Sequence, residues 1–200
     1  MATLDDICFQ WIFRRLKLLG EKMDKREHGY ESSWYGPLNK MTNLIFHGPV
    51  LMVKPQSTIR ETVEHAGSGS EDEFNDEGTS VDSMGAPVIR GGFLQPDFLI
   101  AIVPEDGNLY GDELVCCIEV KKDREGKRCT EVQMRKYLEW LSKKKPHDAT
   151  RGILILGSIT YVYNIQGKRM PSKKGEGVST SDSDGLRKEL EKIAKNVGVN

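Results

Sequence analysis

No apolar stretch in this chain approaches the roughly 18 residues that a membrane-spanning helix needs, which argues against a membrane partner. The first apolar-periodic segment carries Asp5, Asp6, Arg14 and Arg15, so it does not read as a secretory signal. Neither sign of charge dominates: 29 Lys and Arg stand against 30 Asp and Glu. A global basic field of the kind that announces a nucleic-acid binder is therefore missing, although locally the charge is uneven. Acid concentrates over Glu71–Asp82, and base at Lys121–Lys122, Lys143–Lys145 and Lys168–Lys174. Cysteine is scarce. Cys8, Cys116, Cys117 and Cys129 show no C-x-x-C spacing, and the adjacent Cys116 and Cys117 fall on an expected strand, where neighbours point opposite ways. Free buried thiols in a reducing compartment fit this pattern better than disulfides. The four histidines, His47 and His65 among them, are scattered without ligand spacing. These features describe a soluble, intracellular protein, nuclear or cytoplasmic.

What is present is a single domain's worth of alternating and helical patterns. Leu4, Ile7, Cys8, Trp11, Ile12 and Leu19 recur at helical spacing, and Gly20 or the charged run after it is expected to end that helix. Gly29 to Gly36 is turn-like. Pro37 then suits the first position of a second helix, with Leu38, Met41, Leu44 and Ile45 inward. A short strand over Val50–Val53 precedes Pro55. Residues 67–85 are mostly Gly, Ser, Asp and Glu and read as an acidic disordered insertion. Such an insertion is tolerated because loop-closure entropy grows slowly with length. Ordered chain resumes near Pro87. A strand over Asp97–Val103, a hairpin turn at Glu105–Asn108 and a strand over Glu113–Lys121 follow. Next come a helix over Arg128–Lys143, stopped by Pro146, and strands over Gly152–Leu156 and Thr160–Ile165. A flexible basic and Ser-rich stretch, 168–182, leads to a closing helix marked by Leu186, Leu190, Ile193, Ala194 and Val197.

The chemistry concentrates in two places. Pro96-Asp97 stands at the head of one strand, and Glu119-Val120-Lys121, 22 positions later, at the end of the next. Side chains alternate along a strand, so Glu119 and Lys121 share a face and Val120 takes the other. A carboxylate and an ammonium side by side, with a second carboxylate on the neighbouring strand, form a compact site for a divalent cation and a water.

Pro-Asp followed by Glu-x-Lys on adjacent strands, then a helix bearing Gln133-Met134-Arg135-Lys136-Tyr137, resembles the PD-(D/E)xK nuclease superfamily, in particular its RecB-like branch with a Q-x-x-x-Y helix. The likeness covers residues 90–165. Upstream, Glu31-Ser-Ser-Trp-Tyr35-Gly-Pro37-Leu38 is similar to the glutamate-bearing first helix of the family core, with Glu21 as a rival for that role. The resemblance implies an α/β, restriction-endonuclease-like core, a mixed central sheet flanked by helices. It implies a nuclease dependent on Mg²⁺ or Mn²⁺ that hydrolyses phosphodiesters in nucleic acid, with DNA favoured over RNA. Asp97 and Glu119 would hold the metal, helped by the backbone carbonyl of Val120 and by Glu31. Lys121 would act on the attacking water and the phosphate, and Gln133 and Tyr137 would position the nucleic-acid backbone.

Plainer readings stand beside these. Glu119 and Lys121 also fit a solvated strand end with a weak ion pair, and Asp97 a turn residue after Pro96. Thr130 and Gln133 fit a helix capping box. Tyr137 fits a core aromatic, and Glu31 a loop acid. Two other function classes stay open: a binding module that keeps the fold without cleavage, and a nuclease-core effector or toxin whose acidic insertion contacts a protein partner.

Overall fold

The apolar run from Leu114 to Ile118 calls for cover on both faces of its strand, and the fold supplies it. The computed structural model describes residues 4–24, 32–56, 80–81, 87–88, 95–104, 112–121, 127–143, 146–165 and 172–198. Two units divide the chain, one of residues 1–57 and 96–200, the other of residues 58–95. The larger unit begins with α1 (Leu4–Asp24), α2 (Ser32–Ile45) and β1 (Leu51–Pro55). In the smaller unit β2 (Ser80–Val81) pairs antiparallel with β3 (Pro87–Val88). The larger unit then continues through β4 (Phe98–Ile102), β5 (Glu113–Lys121), α3 (Lys127–Lys143), β6 (Pro146–Leu156) and β7 (Ile159–Asn164). It closes with β8 (Ser172–Lys173), β9 (Val178–Ser179), a kinked turn of helix at Ser183–Arg187, and α4 (Lys188–Asn196).

The sheet is mixed, in the order β1-β4-β5-β6-β7-β8, with β9 also pairing β7. Every pair is antiparallel except β5 with β6. A parallel pair needs a long crossover, and α3 provides it. On one face α3 lies against β5 and β6: the Cys117 thiol is 3.7 Å from the Met134 sulfur. A Cβ at Gly152 would fall 2.7 Å from that sulfur and 2.9 Å from a Leu138 methyl. Glycine at 152 is what lets the helix approach so closely. On the other face Phe98, Ile100, Cys116, Ile118 and Val120 join Ile12, Leu16, Trp34, Leu38, Met41 and Leu190 in one core. Cys116 and Cys117 are buried and unpaired, on opposite faces as the alternation requires.

Several expectations change. α1 runs through Gly20 to Asp24. A Cβ at Gly20 would stand 3.3 Å from the Ser158 Cβ, so this glycine serves a close approach rather than a helix end. Pro37 lies inside α2, not at its first position. It forfeits only the bond to the Ser33 carbonyl, and it is buried in the core together with Trp34. Pro146 opens β6 as well as following the helix. The stretch 168–182 contains β8 and β9, and Ser80–Val81 within 67–85 form β2, so short edge pairing reaches into segments whose composition reads as loop. The rest of 67–85, the turn at Glu105–Asn108 and Glu31 lie outside the described residues. Among the described residues, no helix is long and apolar enough to cross a membrane.

Candidate active site

Strand register builds the site. The β4–β5 ladder ends with Phe98 paired to Ile118, and Asp97 stands just beyond it, beside Glu119, whose carboxyl feels both the Asp97 charge and its backbone N–H. By alternation from Cys117, which touches Met134, Glu119 lies on the face of β5 that α3 covers. Asp97 is held at both oxygens: the Tyr35 hydroxyl donates to Oδ1 at 2.6 Å and the Val120 backbone N–H donates to Oδ2 at 2.6 Å. Hydrogen bonds to an ionised acceptor are the short, strong kind. The second of them caps the ladder where β4 has run out of carbonyls.

Glu119 is 1% exposed. Its Oε1 takes the Lys121 ammonium at 2.9 Å, while Oε2 is buried with no hydrogen-bond partner among the described residues. Burial first, and then the neighbouring Asp97 charge, push the Glu119 carboxyl up to about 7, against the opposing pull of Lys121 and the Asp97 backbone N–H. Lys121 is 30% exposed, so its charge stands at the rim of the site rather than in the core.

From α3, Gln133 and Tyr137 reach the same place. They are one helical turn apart, on one face, and the Gln133 side-chain N–H donates to the Tyr137 hydroxyl. Burial, and then the Glu119 charge, push the Tyr137 phenol upward, so it stays a protonated donor. The capping-box reading fails, because α3 begins at Lys127 and Thr130 lies inside the helix. The Glu119–Lys121 pair is likewise not a solvated strand end, since one partner is buried.

The sequence-based residues Asp97, Glu119, Val120, Lys121, Gln133 and Tyr137 thus meet at one end of the β4–β5 pair. Glu21 stands exposed on α1. Tyr35 is the site residue that sequence reasoning missed. It sits 62 positions from Asp97, on a helix of the opposite layer, and its only sequence signal is its place in the Glu31–Leu38 motif.

Among the described residues, no group of three or more His, Cys, Asp or Glu is arranged around a metal position. Two carboxylates, one carrying an orphaned buried oxygen, do fit a hard cation of the Mg²⁺ type. Such an ion keeps several waters and is commonly bound through one or two carboxylates together with substrate phosphates. Beside the pair, an open cleft of about 290 Å³ runs past Asp97 between Tyr35, Gly36 and Asn39 on α2 and Gln56 and Phe98 on the sheet edge. No protein-family model, curated protein or solved structure matches the chain.

Proposed function

We propose that the protein is a metal-dependent phosphodiester hydrolase acting on nucleic acid, a nuclease of the PD-(D/E)xK kind with a restriction-endonuclease-like core. One observation carries the reading: Asp97 at the head of β4 stands close enough to Glu119 for its charge to act on that carboxyl, with the Lys121 ammonium 2.9 Å from one Glu119 oxygen and the other oxygen buried without a partner among the described residues. Burying a carboxylate beside another carboxylate is costly unless a cation or a proton compensates it, and a bound cation would take the place of that proton at neutral pH and above.

Asp97 and Glu119 would hold Mg²⁺ or Mn²⁺, with the Val120 carbonyl as a further oxygen and Glu31 as an additional ligand. Held by these residues, such an ion would supply Lewis acidity at the phosphate. Lys121 orients the attacking water and offsets negative charge developing on the phosphate. Tyr137, kept protonated and braced by Gln133, offers its hydroxyl to a non-bridging phosphate oxygen. Tyr35 holds the Asp97 carboxylate in place from α2. DNA is the favoured polymer.

Incubating the protein with single- and double-stranded DNA and RNA, with Mg²⁺ or Mn²⁺ and with chelator, tests the reading. Cleavage appears with metal, stops on chelation, and is lost in Glu119→Gln. Activity that persists in chelator, or in Glu119→Gln, overturns it.

A further inference from the structure

The cleft beside Asp97 has a chemistry unlike that of the carboxylate site. Among the described residues its lining carries no Lys, Arg or His, and its charged group is Asp97, which repels a phosphate. The rings of Tyr35 and Phe98 meet edge to face, with centroids 5.8 Å apart and planes at 87°; Phe98 is buried in the core, so the half-buried Tyr35 ring supplies the apolar surface. Amide side chains at Asn39 and Gln56 line the cleft as well. Apolar ring surface with neutral amide donors and acceptors suits a flat, uncharged heterocycle that bears hydrogen-bonding groups at its edge. Asn and Gln are the side chains whose geometry matches such edges.

Two backbone features keep the cleft open. Among the described residues, a Cβ at Gly36 would meet nothing within 4 Å, so the absence of a side chain at position 36 leaves room beside them. Gln56 adopts φ 48°, the left-handed region that non-glycine residues enter at a cost. Its N–H is fixed by the Asp97 carbonyl at 2.8 Å. Strained residues of this sort cluster where a chain clamps a ligand. Asp97 therefore faces both ways: its side chain belongs to the carboxylate pair, and its carbonyl sets the turn that shapes the cleft. At about 290 Å³ the cleft stands at the lower end of small-molecule sites, which run roughly 300–1,000 Å³. That is space for one base and little more.

We infer that this cleft receives a nucleobase of the substrate, the base adjoining the phosphodiester held at Asp97 and Glu119. The inference rests on the hydrolase reading and narrows it. A base can enter such a cleft only when it is out of the double-helical stack, so the substrate is single-stranded, or a strand end or flap with splayed nucleotides.

The test uses the full chain and two measurements. In ligand-observed NMR, free nucleosides bind the wild-type protein, and the binding is lost in Gly36→Trp, whose indole fills the cleft, and weakened in Asn39→Ala. Circular dichroism of both variants confirms that they are folded. In cleavage assays with Mg²⁺, a single-stranded oligonucleotide has a KM about tenfold lower than the same strand carrying abasic sites, a ratio in the range expected for one stacked base. That ratio collapses toward one in Gly36→Trp. Nucleoside binding that disappears in Gly36→Trp while no oligonucleotide is ever cut supports the cleft and sinks the hydrolase reading. Metal-dependent cleavage that treats normal and abasic strands alike, with no nucleoside binding, overturns the cleft and leaves the hydrolase reading standing.

Discussion

The Tyr35 hydroxyl donates to Asp97 Oδ1 across 2.6 Å and thereby ties α2 to the carboxylate at the head of β4. Removing it with Tyr35→Phe should destabilise the fold by about 1–3 kcal/mol, the usual worth of a hydrogen bond to a charged group. For a domain of this size each kcal/mol lowers Tm by roughly 2–4 °C. Cleavage should fall by about tenfold or less, because Asp97 keeps its bond from Val120. A thousandfold loss of rate with no change in melting would show instead that the hydroxyl acts on substrate.

Lys121→Ala separates chemistry from metal binding. Cleavage should drop on the order of 100- to 1000-fold, as when a preorganised charge is removed from an active site, while calorimetric titration with Mn²⁺ still shows binding. Asp97→Ala and Glu119→Ala should lose both, since each removes a ligand. Gln133→Ala should weaken substrate affinity more than metal affinity. Loss of Mn²⁺ binding in Lys121→Ala, under conditions where the wild type binds, would remove the division of roles.

The pH dependence follows from Glu119. Its carboxyl titrates near 7 in the fold against an ordinary value of 4.5. The folded protein therefore holds a proton that the unfolded chain releases. The stability contributed by this group is complete below about pH 4.5 and is lost as pH rises through 7. In chelator at about pH 8, Glu119→Gln, which resembles the protonated form, should melt above wild type by several degrees, and the gap should close toward pH 5. Mg²⁺ should raise the wild-type Tm more at about pH 8 than at about pH 5.5, because the metal competes with that proton. Equal shifts at both pH values would mean that Glu119 does not bind the ion.

Two glycines should respond in opposite directions to alanine. At Gly36 the added methyl meets nothing within 4 Å and the residue lies in α2, so Gly36→Ala should stabilise by roughly 0.5–1 kcal/mol. At Gly152 the methyl would collide with Met134 and Leu138, and Gly152→Ala should cost about 1–3 kcal/mol. Urea titrations of the pair would expose an error in either packing description.

The central elements were legible because their patterns are strong. The run Glu113–Lys121 matches β5 at both ends, and helical spacing locates α3 within one residue. Alternation along β5 was enough to put Glu119 and Lys121 on one face, and the order of the strands put Asp97 on the neighbouring one. Other features depend on contacts that no local window contains. Gly20 reads as a terminator until its approach to Ser158 is seen. Strands β8 and β9 carry Ser, Lys and Val and are held by pairing to β7, which leaves little compositional trace. The role of Tyr35 escapes a local reading for the same reason: the motif names the residue, but only the three-dimensional arrangement brings it to Asp97.

The β1–β4 ladder joins stretches separated by the whole chain between Gln56 and Pro96, whereas β4, β5, α3 and β6 follow one another more directly. Longer closures cost more chain entropy, if only slowly, and the expected order of assembly is that Asp97, Glu119, Lys121 and the Gln133–Tyr137 pair gather with the β4–β6 segment before β1 and α2 dock. Substitutions in β4–β6 should therefore slow refolding, and substitutions in α2 or β1 should mainly hasten unfolding. A chain caught before that last step would hold its charged residues together with neither the Tyr35 brace nor the cleft, and a nascent molecule would have its reactive groups before it had the means to select what reaches them.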